Sequence, residues 1–289
     1  MPRRMDFQNA SLRNAPLQNP ADGTPEKTSI EIKPSPPPAA VAPVWHTVVL
    51  IVGILALSVQ SASQFGGKQA QFNRLSTYAV TASTELLMLG WVYFGLRLRR
   101  IPFGSLLGSF SSRLQSIAID LGVAMVFWIG ALMVLGTIGL FWTIVEAAIR
   151  HRSLIHPGQP LSPDPSQQQV LHTLSQLAPA NGYEIAAWVL LCIIAGFVEE
   201  VIFRGYLYRQ FLAWSRGAVV AGVVFSSVLF GAAHGYQGAR NMVLLSIFGA
   251  LFSLLALFRR SLRAGIIAHC WHDLFAGLTL AFLKAFHFI

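Results

Sequence analysis

Residues 183–203 read YEIAAWVLLCIIAGFVEEVIF. From Ile185 to Val198 the stretch carries no charge, and then Glu199 and Glu200 arrive together inside a run that is still apolar, with Arg204 just beyond. About twenty predominantly apolar residues suffice for a helix to cross the roughly 30 Å hydrocarbon core of a bilayer. The run therefore reads as a membrane span with two carboxylates at depth. Six further runs share its character, at about 44–64, 76–96, 114–145, 217–234, 241–258 and 262–283. The expected fold is all-α, a polytopic integral membrane bundle of about seven helices. The 114–145 run is long enough to tilt or kink.

Composition agrees. Hydrophobic residues make up 54% of the 289 and charged residues only 11%, against about 25% charged in an ordinary soluble domain. Mean hydropathy is +0.56. A net charge of +9 would suggest nucleic acid in a soluble protein. Here the basic residues lie between apolar runs, where the positive-inside rule accounts for them, and nucleic acid is not an expected partner; membrane lipid is. Cys192 and Cys270 both fall within apolar segments and show no CxxC spacing.

Residues 1–43 are of another kind, rich in Pro, Asn, Asp, Ser and Lys and closing on Pro34-Ser35-Pro36-Pro37-Pro38. Such a stretch buries too little apolar surface to offset its ordering entropy, and it reads as a disordered cytosolic tail ahead of a membrane domain at 44–289. The longest connection, about 146–182, reads as a turn-rich loop with Pro157, Pro160, Pro163 and Pro165. With a cytosolic N-terminus, fifteen of the 21 Lys and Arg fall on the cytosolic side and six on the other. That bias predicts N-in, seven crossings and a C-terminus on the opposite side.

Ionisable groups at membrane depth are costly and usually face a cavity or a partner. The second half of the chain has several. Glu200 and Arg204 are four apart and share a helix face. Glu199, about 100° around the helix, is left to point into a cavity. Phe230 and His234 are four apart, as are His269 and Asp273. Three helices thus offer polar groups to one interior.

Glu199-Glu200-Val201-Ile202-Phe203-Arg204 resembles an EExxxR motif, Phe230-Gly231-Ala232-Ala233-His234 an FxxxH motif, and His269-Cys270-Trp271-His272-Asp273 an HxxxN/D motif. In this order they resemble the CAAX protease and bacteriocin-processing family of intramembrane endopeptidases, over about 183–285. The resemblance implies a site in a cavity open toward the cytosol. It also implies that Glu199 and His234 activate a water while His269 and Asp273 attend the oxyanion, with Glu200 and Arg204 in support. The residues agree in part. Hydrolysis of an amide needs a base and donors aimed at the tetrahedral oxygen. An ionised Asp273 only accepts hydrogen bonds, so it fits better as the group that orients His269.

A metal is the competing mechanism: Glu199, His234 and His269 could hold zinc with an open position for water. HExxH is absent, and the preferred reading needs no cofactor. His272 is expected in packing, and His46, His151, His156, His172 and His287 in solvated or interfacial positions. Glu85 and Asp120 are intramembrane acids expected to hydrogen-bond within the bundle, Asp120 near the cytosolic interface.

The functional expectation is hydrolysis of a peptide bond in a hydrophobic, membrane-associated or lipidated substrate, including prenylated CaaX proteins. Two rivals use the same cavity differently. One is a non-catalytic scaffold or bacteriocin-immunity protein that binds a peptide; the other is a small proton-coupled transporter.

Overall fold

The computed structural model describes residues 38–65, 73–149 and 165–287. The elements in chain order are α1 (Val44–Phe65), α2 (Arg74–Leu98), the short α3 (Gly104–Leu107), α4 (Leu114–Ile149), α5 (Pro165–Leu177), α6 (Gly182–Glu199), a π-helical stretch (Glu200–Leu207), α7 (Tyr208–Trp214), α8 (Val219–Ala233), a 3-10 turn (Gly235–Gln237), α9 (Gly238–Arg259) and α10 (Arg263–Ala285). The described residues form no β-strand, only an isolated bridge between Gly108 and Ser261.

α1, α2, α4, α9, α10 and the continuous rod Gly182–Trp214 are long and apolar enough to cross a membrane, and α8 is a shorter apolar helix of 15 residues. The chain is a multi-pass integral membrane protein. α4, at 36 residues, is about 54 Å long by the usual rise. Large apolar side chains such as Leu87, Val126 and Phe258 stand exposed on the outside, as lipid-facing residues do.

Without a strong hydrophobic force between helices in lipid, close packing needs small residues. α8 and α9 meet at Gly231, where any side chain would run into Ser246 and the Met242 carbonyl. α6 and α10 meet at Gly196, whose missing Cβ would lie 2.7 Å from Cys270 Sγ and 3.0 Å from the Cys270 nitrogen. The second of these contacts brings the helix of the third motif against the helix of the first.

Several expectations change. Residues 38–43, read with the tail, are held in place: the amides of Val41 and Ala42 donate to Gln210 Oε1, and Gln210 Nε2 donates to the Ala42 carbonyl. The rest of the tail lies outside the described residues, as do His151 and His156. The 146–182 connection is not all loop, because α4 runs on to Ile149 and α5 occupies thirteen residues of it. One of its prolines misled: Pro165 is the first residue of α5, a position where its missing N–H costs nothing. His46 is not interfacial but fully buried. It stacks on Trp91 at 4.6 Å, donates from Nε2 to the Trp91 carbonyl at 2.9 Å and accepts the Tyr206 hydroxyl on Nδ1 at 2.9 Å.

Candidate active site

The rod from Gly182 to Trp214 changes winding at its middle. α6 ends on Glu199, and the next eight residues are π-helical and all buried. Glu200 is fully buried and Arg204 nearly so. The Arg204 guanidinium lies 2.9 Å from Glu200 Oε1, as an ion pair rather than an aligned hydrogen bond. It also donates to the Gly249 carbonyl at 3.3 Å and stands 4.3 Å over the Phe230 ring and 5.1 Å over Phe252. Phe230 therefore ties the second motif to the first.

His269, on α10, closes the group. Its Nδ1 lies 3.0 Å from Glu200 Oε1. Nε2 faces two more carboxyls, Glu199 Oε2 at 3.7 Å and Asp273 Oδ2 at 3.8 Å. Both are ion-pair distances, too long for hydrogen bonds. The group that fixes the ring is thus Glu200, not Asp273 as the sequence suggested. An ionised Glu200 only accepts, so Nδ1 carries a proton, and Nε2 donates only when the ring holds both protons. Gly265 leaves room for this arrangement, since a Cβ there would come within 3.1 Å of Glu200 Oε2.

His234 caps the end of α8 and is tied back to it, Nδ1 donating to the Phe230 carbonyl at 2.9 Å. In the neutral ring this leaves Nε2 with a lone pair. His234 and Glu199 line one cavity of about 560 Å³, within the range of small-ligand and peptide sites. Glu199 Oε2 is buried there without a hydrogen-bond partner.

The structure therefore brings Glu199, Glu200, Arg204, His269 and Asp273 into one cluster and puts His234 on the same cavity as Glu199. His272 stands apart against Phe248, with ring centroids 4.8 Å apart. Asp120 is engaged at the opposite end of the bundle by Arg259, at 2.6 Å, and by Arg263. Among the described residues no three His, Cys, Asp or Glu side chains form a set that could hold a metal ion. In the alternative zinc trio of Glu199, His234 and His269, each histidine spends Nδ1 on a neighbour, Glu200 or the Phe230 carbonyl, and keeps Nε2 as the nitrogen facing outward from that bond.

Glu85 is the residue that the sequence undervalued. It was expected to bond within the bundle. Instead it lines the same cavity from α2, nearly buried, with Oε2 lacking any partner, and it lies within electrostatic range of Glu199, His269 and Asp273. An acid alone at membrane depth was the available signal; which way it turned was not.

The cavity runs from Ile54, Met88 and Phe203 near mid-bundle to Gln64, Ser76 and Leu177. Its mouth is thus at the end where α1 finishes and α2 begins. A cytosolic N-terminus and a cavity open toward the cytosol cannot both hold, because α1 separates them.

Residues 181–275, about a third of the chain, match the family model described as type II CAAX prenyl endopeptidase Rce1-like. No curated protein and no solved structure matches. The matched segment carries all three motifs, as the resemblance to the CAAX protease and bacteriocin-processing family implies; α1 to α5 lie outside it.

Proposed function

We propose that the chain is an intramembrane endopeptidase that hydrolyses a peptide bond in a hydrophobic or membrane-associated polypeptide with a water activated by Glu199 and His234. The observation that carries the reading is Glu199 Oε2, buried on the cavity wall without a hydrogen-bond partner and 3.7 Å from His269 Nε2. A carboxylate at that depth without a partner is costly, and a bound water offers it one.

Each residue has a part. Glu199 takes a proton from the water, and the Nε2 lone pair of His234 holds the water in line. His269, fixed by Glu200, presents Nε2–H to the oxygen that becomes negative as the carbonyl turns tetrahedral. Asp273 stands 3.8 Å from the same nitrogen and favours its protonated form. Arg204 holds Glu200 from behind. The proton on Glu199 then passes to the leaving amine, so the base returns to its starting form. None of these steps uses a metal.

The test is cleavage of a quenched library of hydrophobic peptides by the purified protein in lipid vesicles. Loss of a positioned base slows such steps by about 10²–10⁴-fold. Glu199→Gln, which keeps the shape and loses the base, is expected to fall by that factor while remaining folded. Chelator is expected to leave the wild-type rate unchanged. Equal rates in wild type and Glu199→Gln would refute the reading; a rate lost to chelator and restored by zinc would move the chemistry to a metal.

A further inference from the structure

We propose that the cavity opens on the exoplasmic face of the membrane, so that its substrate is a polypeptide segment lying on, or exported to, the side away from the cytosol. The word substrate rests on the peptidase reading; the sidedness does not.

Three observations converge. The first is the position of the cavity. Its outer wall is the last turns of α1, with Gln60 and Gln64, and the first turns of α2, with Ser76 and Thr81; its depth holds Glu85 and Glu199. Every helix that contributes to the mouth does so with the end that lies there.

The second is charge. The far end of the bundle carries nine arginines in three clusters, at 97–113, 209–216 and 259–263. Three of them, Arg100, Arg216 and Arg260, stand just past the ends of α2, α7 and α9 in the left-handed backbone region, where helix C-termini favour cations. The connections and helix ends at the mouth end carry six Lys and Arg in sequence, of which Arg74, Arg240 and Lys284 are among the described residues. Two of these are turned inward: Arg74 donates to the Gln176 carbonyl at 2.8 Å and pairs with Glu184, and Arg240 donates to the Gly139 carbonyl and the Thr143 hydroxyl. Basic residues in short loops stay in the cytosol, so the arginine-rich end is cytosolic and the mouth is not.

The third is the route of water. The mouth-side turns of α1 and α2 line the cavity with amides and hydroxyls. At the other end a smaller pocket of about 190 Å³ touches Arg204 but none of Glu199, Glu200, His234, His269 and Asp273, and Glu200 behind it is fully buried. Water and an extended chain reach Glu199 from the mouth, not through the arginine-rich end. No Lys or Arg lines the large cavity among the described residues. Its walls therefore suit a neutral or basic segment better than a free C-terminal carboxylate.

The experiment uses the full chain in bacterial cells with a charged, membrane-impermeant maleimide that adds a resolvable mass. Gln64→Cys and Ser76→Cys report the mouth, Arg216→Cys reports the far end, and wild type sets the background from Cys192 and Cys270. The expected result is a mass shift of both mouth variants in intact cells, and of Arg216→Cys only in inverted vesicles. The reverse pattern, or labelling of every variant from both sides, overturns the proposal. A second measurement does not depend on thiol accessibility. Alkaline phosphatase, active only outside the cytosol, is fused to the C-terminus, downstream of α10, which finishes at the mouth end with Ala285. It is expected to be active, and a fluorescent protein that folds only inside to be dark; the opposite overturns the proposal. A cytosolic mouth with Glu199-dependent cleavage would refute the sidedness alone. An exoplasmic mouth with no Glu199-dependent cleavage would refute the peptidase alone.

Discussion

Replacing Arg204 by methionine removes the cation from a pair whose side chains are 1% and 0% exposed. Glu200 Oε1 loses the guanidinium at 2.9 Å, and the Phe230 and Phe252 rings lose their cation. Removing one partner of a buried ion pair costs about 3–5 kcal/mol, because the other charge stays buried. His269 remains 3.0 Å from the same oxygen and offsets part of that loss. The expectation for Arg204→Met is thus the low end, about 3 kcal/mol, or a fall in Tm of about 6–12 °C for a domain of this size. Glu200→Gln should cost as much, leaving Arg204 with the Gly249 carbonyl. The double variant should lose less than either single one, since two neutral side chains of similar volume are tolerated where one charge is not. The assay is thermal unfolding in detergent followed by helical circular dichroism, run as a double-mutant cycle. Single changes below about 1 kcal/mol, or a double change equal to their sum, would refute the view that Glu200 and Arg204 are one buried unit.

Two other substitutions test the packing and the cavity. Gly196→Ala is expected to lower both Tm and cleavage by pushing α6 off α10, and Cys270→Ala should restore it only in part, because the Cys270 nitrogen stands 3.0 Å from the new methyl as well as Sγ at 2.7 Å; overpacking of this kind costs about 1–3 kcal/mol. Glu85→Leu is expected to raise Tm, since it removes a buried carboxyl oxygen without a partner, while lowering cleavage; a drop in Tm would show that Glu85 is held by the bundle and not aimed at the cavity.

The helices were legible because the bilayer demands long apolar runs, and six of the seven expected segments became helices of spanning length. Spacing also gave the Glu200–Arg204 pair. What could not be read were contacts between distant helices. Glu200 meets His269 across 69 positions and His46 meets Tyr206 across 160, and no local pattern encodes either. His46 was misread because a histidine beside Trp45 at the start of a span suits an interface equally well. Asp273 was credited with orienting His269 because the two are four apart, but a fully buried Glu200 from another helix comes closer. The π winding left no trace in composition at all.

That winding shapes the site. π-helical turns are rare, mostly single, and frequent at functional sites. Here eight residues adopt it, and the Tyr208 amide donates five residues back to the Phe203 carbonyl. The wider turn persists because its side chains are anchored on several sides. Gly205 lies against Leu106, where a Cβ would approach to 3.2 Å. The Tyr206 hydroxyl donates to His46 Nδ1 at 2.9 Å and accepts from Thr47 at 2.8 Å. The outcome is a division of one motif between two sides: Glu199, the last α residue, lines the large cavity, while Arg204 reaches the pocket at the arginine-rich end. If this anchoring holds Glu199 in place, Tyr206→Phe should do more than lose a hydroxyl. It strands His46 Nδ1 and the Thr47 hydroxyl in a buried site, at a cost of about 1–3 kcal/mol, and it frees the stretch to relax toward α-helix. Amide hydrogen exchange at residues 203–210 should quicken, and cleavage should fall although no group on the cavity has changed. Faster exchange with full activity would mean that the π winding serves packing alone.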